Sequence, residues 1–358
     1  MDSDQMRHHA RTTIVTACIA AVVAVGAPAQ AFSGGGTTND NGYGARVEVH
    51  LSGDVSQGAV GSVPGPPPMC WWENLSGTML STDKVDTSDP AAVKKYYEEK
   101  VRPYLTGHAA TGQLAIPSEA YFKNVIAQVK AGQPMTFYSL QIRDEALGVP
   151  GSPEYADAVH TIGQACGTPV TNGPFGPVLT SWQAFAPGQV PEPAVAPEDL
   201  AEYAYEVMDL KRPTLEWNPH LASADDATLV NLPTWLWTQD PAAVEQRQVT
   251  AEAAGISVTV TAEPNGMTVT SPVAGTDCSA EQARTAYAPG VDESQACIVT
   301  FPRGSAAYGT GFPVQSTTGW QAAWTSNAGP GGDLEPKTRS ATTTIPVIEV
   351  QSRVSQVS

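Results

Sequence analysis

"SVTVTAEPNGMTVTS", Ser257–Ser271, alternates apolar and hydroxyl-bearing residues. Ile256, Val258 and Val260 fall on one side, and Ser257, Thr259 and Thr261 on the other. That is the period of a strand with one buried and one wet face. Pro264-Asn265-Gly266 interrupts the run with turn chemistry, so the stretch reads as a hairpin. Around it "LVNLPTWLWT", "ACIVTF", "GWQAAWTS" and "TTTIPVIEVQ" have strand character. Six or seven short strands in about 130 residues predict an antiparallel β-sandwich over 228–358.

Residues 69–210 read differently. Four helix starts carry clear punctuation: Asp89 with Pro90, Ser118, Ser152 with Pro153, and Pro197. A Ser or Asp cap satisfies a free backbone N–H, and proline fits the first turn because its missing N–H costs nothing there. Gly132 and Gly167 mark two stops, while Met135–Ile142 and Val178–Phe185 are strand candidates. The fold class this predicts is α+β multidomain: a mainly helical domain at 69–210, a Pro-broken connector at 211–227, and the sandwich. Ahead of them, 32–68 is a Gly, Ser and Pro-rich lead, expected to be flexible. Within it "ARVEVHLSG" alternates like a short strand, with Val47, Val49 and Leu51 on one face.

Residues 1–31 have the form of an export signal. Arg7, His8, His9 and Arg11 precede the apolar run Ile14–Ala27, and Ala29-Gln30-Ala31 supplies the small-x-small cleavage pattern. No later segment is long and apolar enough to span a bilayer, which predicts a secreted or envelope-associated, extracytoplasmic protein. After cleavage four cysteines remain, and in an oxidising compartment an even number suggests two disulfides. Of the three connectivities open to them, Cys70–Cys166 with Cys278–Cys297 keeps each bridge inside one predicted domain. Trp71 or Trp72 is expected to pack beside the first. The net charge is −17. Acids outnumber bases by 20 to 9 in residues 32–210 and by 14 to 8 in 211–358, which argues against nucleic acid and anionic lipid as partners.

The closing third, through "VNLPTWLWT", "GISVTVTAEPNGMTVTSP", "CIVTFPRGSA", "GWQAAWTSNAGPGG" and "TTIPVIEVQ", resembles the PKD-like variety of immunoglobulin-like domain found at the C-termini of exported actinobacterial proteins. The resemblance implies a spacer or binding module. The Gly-Asp-Gly turn usual in such domains is replaced by "SPVAGTDCS", Ser271–Ser279, so no calcium or ligand site is carried over.

No catalytic residue, cofactor or metal ligand set emerges. GxSxG, HExxH and a P-loop lysine are all missing. His160 with Asp157, Glu98-Glu99, Asp144-Glu145 and Asp225-Asp226 are the remaining acid–base or cation constellations, each better explained as surface charge. Trp235 with Trp237, and Trp320 with Trp324, share strand faces. Each pair is either a platform for a sugar ring or packing for a core or seam, and packing is favoured. The expected function is therefore a non-enzymatic envelope or extracellular protein acting by protein–protein contact, an accessory of a surface or secretion assembly. Its partner would be a protein or cell-wall polysaccharide. The alternatives are a polysaccharide-binding module and a hydrolase with a site in 69–210.

Overall fold

The computed structural model describes residues 47–57, 61–75, 85–103, 114–115, 117–149, 152–173 and 176–350. Residues 1–31, read above as an export signal, lie outside them, as do 32–46 and 58–60 of the lead. The chain forms two compact units, one built on Ser62–Leu200 and one on His50–Gly61, Ala201–Glu252 and Ser257–Ser358. No helix among the described residues is long and apolar enough to cross a membrane.

In the first unit Cys70–Asn74, Thr136–Ile142 and Trp182–Phe185 make an antiparallel sheet with Thr136–Ile142 in the middle. One face carries Cys70, Trp72 and Leu140 against Tyr155, Val159 and Ile162 of the Pro153–Ala165 helix. The other carries Phe137 and Ala184 against Val93, Phe122 and Val125 from the Pro90–Tyr96 and Glu119–Lys130 helices. The helix starts are capped at Asp89, Ser118 and Ser152, whose side chains accept the N–H groups of Ala91, Tyr121 and Tyr155. A mainly helical domain is nevertheless the wrong description. Over all the described residues strand outweighs helix by 41% to 27%, the six helices among them are short, and the first unit is organised on a three-stranded sheet with helices on both faces. The missed element is "CWWEN": Cys70, Trp71 and Trp72 are all buried, because both faces of that strand are covered and no alternation survives to be read. The Cys70–Cys166 disulfide ties the strand to the end of the Pro153–Ala165 helix, and Trp72 Nε1 donates to the Cys166 carbonyl at 2.7 Å.

The second unit is β-sandwich-like. Its curled main sheet runs in the order Gly332–Ile345, Phe312–Ser326, Ile256–Thr270, Arg247–Ala253, Glu48–Gly53. A three-stranded sheet, Cys297–Thr300, Pro233–Thr238 and Leu215–Asn218, shares its core. Leu236, Val299 and Phe301 from that side meet Met267, Val269, Phe312, Val314 and Ile345. Gly275–Cys278 pairs with the far half of Ile256–Thr270, so the Cys278–Cys297 disulfide stitches the two sheets together.

Ser257–Ser271 is not a hairpin. Ile256–Thr270 is one strand, and Phe312–Ser326 pairs with both of its halves. The register shifts between Pro264 and Met267, which makes Pro264-Asn265-Gly266 a bulge. Buried positions change parity there, from Val258, Val260 and Ala262 to Met267 and Val269, as an extra residue in one strand requires. The tight turn lies instead at Ala254-Gly255, where both residues have positive φ. That is the left-handed pair of a type I′ hairpin. Gly266 is needed at the bulge. Its φ is +107°, and a Cβ would stand 2.5 Å from the Cys278 carbonyl oxygen.

Gly266→Ala should therefore cost about 1–3 kcal/mol in urea unfolding of the second unit; an unchanged midpoint would contradict the bulge. Loop-closure entropy makes the first disulfide, with a sequence separation of 96, worth more than the second, with one of 19. The Cys70→Ala/Cys166→Ala pair should lose about 4.7 kcal/mol and the Cys278→Ala/Cys297→Ala pair about 3 kcal/mol.

Candidate functional site

The strand Phe312–Ser326 turns Val314, Ser316, Thr318 and Trp320 to the interior, and all four are fully buried. Two of the four have polar groups that a dry interior must satisfy, and a third has an indole N–H. The Ser316 hydroxyl donates to the Pro213 carbonyl. Thr318 Oγ1 and Trp320 Nε1 have no hydrogen-bond partner. The register of the neighbouring strand places Arg339 opposite Thr318 and Lys337 opposite Trp320.

Lys337 is fully engaged. Its ammonium donates to the Tyr205 carbonyl at 3.1 Å and to Glu206 Oε1 at 2.8 Å, and lies 4.0 Å from the centre of the Tyr205 ring. The Pro197–Val207 helix ends there, so the cation also meets the negative end of the helix dipole. Tyr205 is 2% exposed. Burial pushes its hydroxyl above the usual tyrosine range, and the Lys337 backbone N–H and the Arg339 charge pull it partly back. The Lys337 backbone N–H faces the oxygen of that hydroxyl, whose proton meets no acceptor. Arg339 is half-buried and donates to the Thr338 carbonyl at 3.1 Å. No acidic side chain among the described residues pairs with it.

Thr318 and Trp320 thus bring two buried, unpartnered polar atoms to the ladder face that carries Arg339, whose charge acts on the buried Tyr205 hydroxyl, and no acid among the described residues pairs with that guanidinium. Indole and guanidinium nitrogens can only donate. A buried polar group without a partner costs about 1–3 kcal/mol. What this cluster lacks is an acceptor, and beside an unpaired arginine the best acceptor is an anion that takes two parallel N–H bonds, a carboxylate.

Trp320 belongs to this cluster, as a buried donor rather than a stacking surface. Trp324 is half-buried, and the ladder shifts register between Trp320 and Ala322. Trp235, 6% exposed, sits in the central strand of the three-stranded sheet and meets Tyr287 edge-on at 5.3 Å, while Trp237 is half-buried. His160 and Asp157 are not buried on their helix. Glu98 pairs with Lys94 at 3.3 Å, Glu99 is exposed, and Glu145 lies 3.8 Å from Arg143 Nε. Asp225 and Asp226 both have positive φ and build a left-handed turn whose Asp226 carbonyl accepts Trp217 Nε1. Among the described residues no three His, Cys, Asp or Glu side chains could hold a metal. Thr318 shares the Trp320 face by strand alternation, but Tyr205 and Arg339 carried no sequence signal, because only the helix end and the strand register bring them there. No family model, curated protein or solved structure matches this chain.

Proposed function

We propose that this is an exported, disulfide-tied binding protein whose second unit holds a carboxylate of a protein partner between Arg339, Tyr205, Thr318 and Trp320. The observation that carries the reading is the set of three buried donors without acceptors, on a ladder whose Arg339 has no acidic partner among the described residues. The two disulfides are in keeping with an oxidising, extracytoplasmic setting. A net charge of −17 repels polyanions, so the ligand carries one acidic group on an otherwise neutral chain, such as a peptide C-terminus, rather than a run of uronates. The outer edge of Gly332–Ile345, the strand that carries Arg339, has no neighbouring strand in the sheet among the described residues, so an extended peptide could lie along it. Binding of this kind agrees with the module role that the PKD-like resemblance implies, and needs no catalytic group.

The test is titration of the ¹⁵N-labelled chain with tetra-alanine bearing a free C-terminus, and with the same peptide amidated. The Trp320 indole resonance, assigned with Trp320→Phe, should move with the free acid and stay with the amide. Arg339→Gln should weaken the effect roughly tenfold or more, the worth of a charged hydrogen bond. An unmoved Trp320 resonance, or an equal response to the amide, would contradict the reading. Thr318→Val separates binding from stability. Removing a buried, unpartnered hydroxyl should leave the free protein as stable or up to about 1–3 kcal/mol more stable, while weakening the peptide.

A further inference from the structure

The first unit carries a second, independent polar cluster. On the sheet face that packs against the Glu119–Lys130 helix, the ladder is apolar where Phe137 faces Ala184 and becomes polar further along. In the next row Glu73 stands opposite Ser139, which stands opposite Trp182; in the row beyond, Trp71 stands opposite Gln141. Alternation puts all five side chains on the same face. Trp71 is 6% exposed, and neither its Nε1 nor Gln141 Nε2 has a hydrogen-bond partner. Ser139 is buried, and Glu73 is half-buried with no hydrogen bond or cation on its carboxylate among the described residues. Burial alone pushes the Glu73 carboxyl above the usual range. Trp182, half-buried and edge-on to Tyr97 at 6.0 Å, closes one side with an aromatic wall.

We propose that Trp71, Glu73, Ser139 and Gln141 form a binding site for an uncharged group that offers a donor and an acceptor side by side: a sugar's vicinal hydroxyl pair or a primary amide. The charges decide this. A cation would satisfy Glu73 but face the bare N–H groups of Trp71 and Gln141. An anion would satisfy those and be repelled by Glu73. A neutral donor–acceptor pair meets both, and the Trp182 ring suits the C–H face of a sugar. No water-exposed alternative is open to the Trp71 N–H, because the atom itself is buried.

Titrating the full-length ¹⁵N-labelled chain with methyl glucoside, methyl galactoside and methyl mannoside, and separately with acetamide, tests this. Movement of the Trp71 indole resonance with a glycoside supports a sugar ligand; movement with acetamide alone supports an amide. The response should fall several-fold in Glu73→Leu and Gln141→Leu and be largely restored in Glu73→Gln, which keeps an acceptor. No movement with any of these probes, or an equal response to acetate or tetramethylammonium, would overturn the proposal. A second readout needs no ligand. The folded state raises the Glu73 pKa, so the stability it favours is present at low pH and lost as pH rises through the raised value. The melting-temperature gap in favour of Glu73→Gln should therefore widen from acid to neutral pH, and a constant gap would show that the carboxyl is not desolvated.

Discussion

The ladder between Phe312–Ser326 and Gly332–Ile345 is the constraint on which the second unit depends. It fixes Phe312 opposite Ile345 at the core end, and Thr318 and Trp320 opposite Arg339 and Lys337 at the polar end. A one-residue slip would turn every one of these side chains to the other face. On the other side of Phe312–Ser326, the bulge at Pro264–Met267 lets Ile256–Thr270 keep buried residues inward on both sides of a parity change. Lys337, tied to Tyr205 and Glu206, pins the edge strand to a helix end. The donor cluster exists because the same register that fills the core also brings Arg339 beside Thr318.

Local chemistry was legible in the sequence, and assembly was not. The caps at Asp89, Ser118 and Ser152 need only a few neighbouring residues to specify them, and both disulfides follow from keeping each bridge local. Cys70–Asn74 was missed because a strand covered on both faces shows no period. Its omission made the first unit look helical. Pro264-Asn265-Gly266 has the composition of a turn, and only pairing of one continuous partner strand with both flanks reveals a bulge. The odd step in numbering from Ala262 to Met267 was the available hint.

The candidate site was legible only in part. Trp320 stood out as an aromatic, yet its role rests on a single N–H. Of the other donors, Thr318 lies two residues away on the same strand, Tyr205 comes from a distant helix end and Arg339 from the next strand. An unpartnered polar atom is defined by what surrounds it, and neither composition nor spacing reports that. The contrast with overall charge is physical too: a chain that is acidic in both halves still concentrates unpaired donors at one point, which selects for a single carboxylate and against polyanions.

The most direct test of the central claim is the hydrogen-bonding state of the Trp320 indole in the ligand-free protein. The indole Raman band that tracks N–H hydrogen bonding, isolated as the difference between wild type and Trp320→Phe, reads it. The Trp72 indole, bonded to the Cys166 carbonyl, serves as the bonded reference. The structure predicts an unbonded Trp320 signal that moves to the bonded position when the carboxylate peptide is added. A Trp320 signal already at the bonded position in the free protein would mean that the donor has its acceptor within the fold, and the binding site would lose its basis.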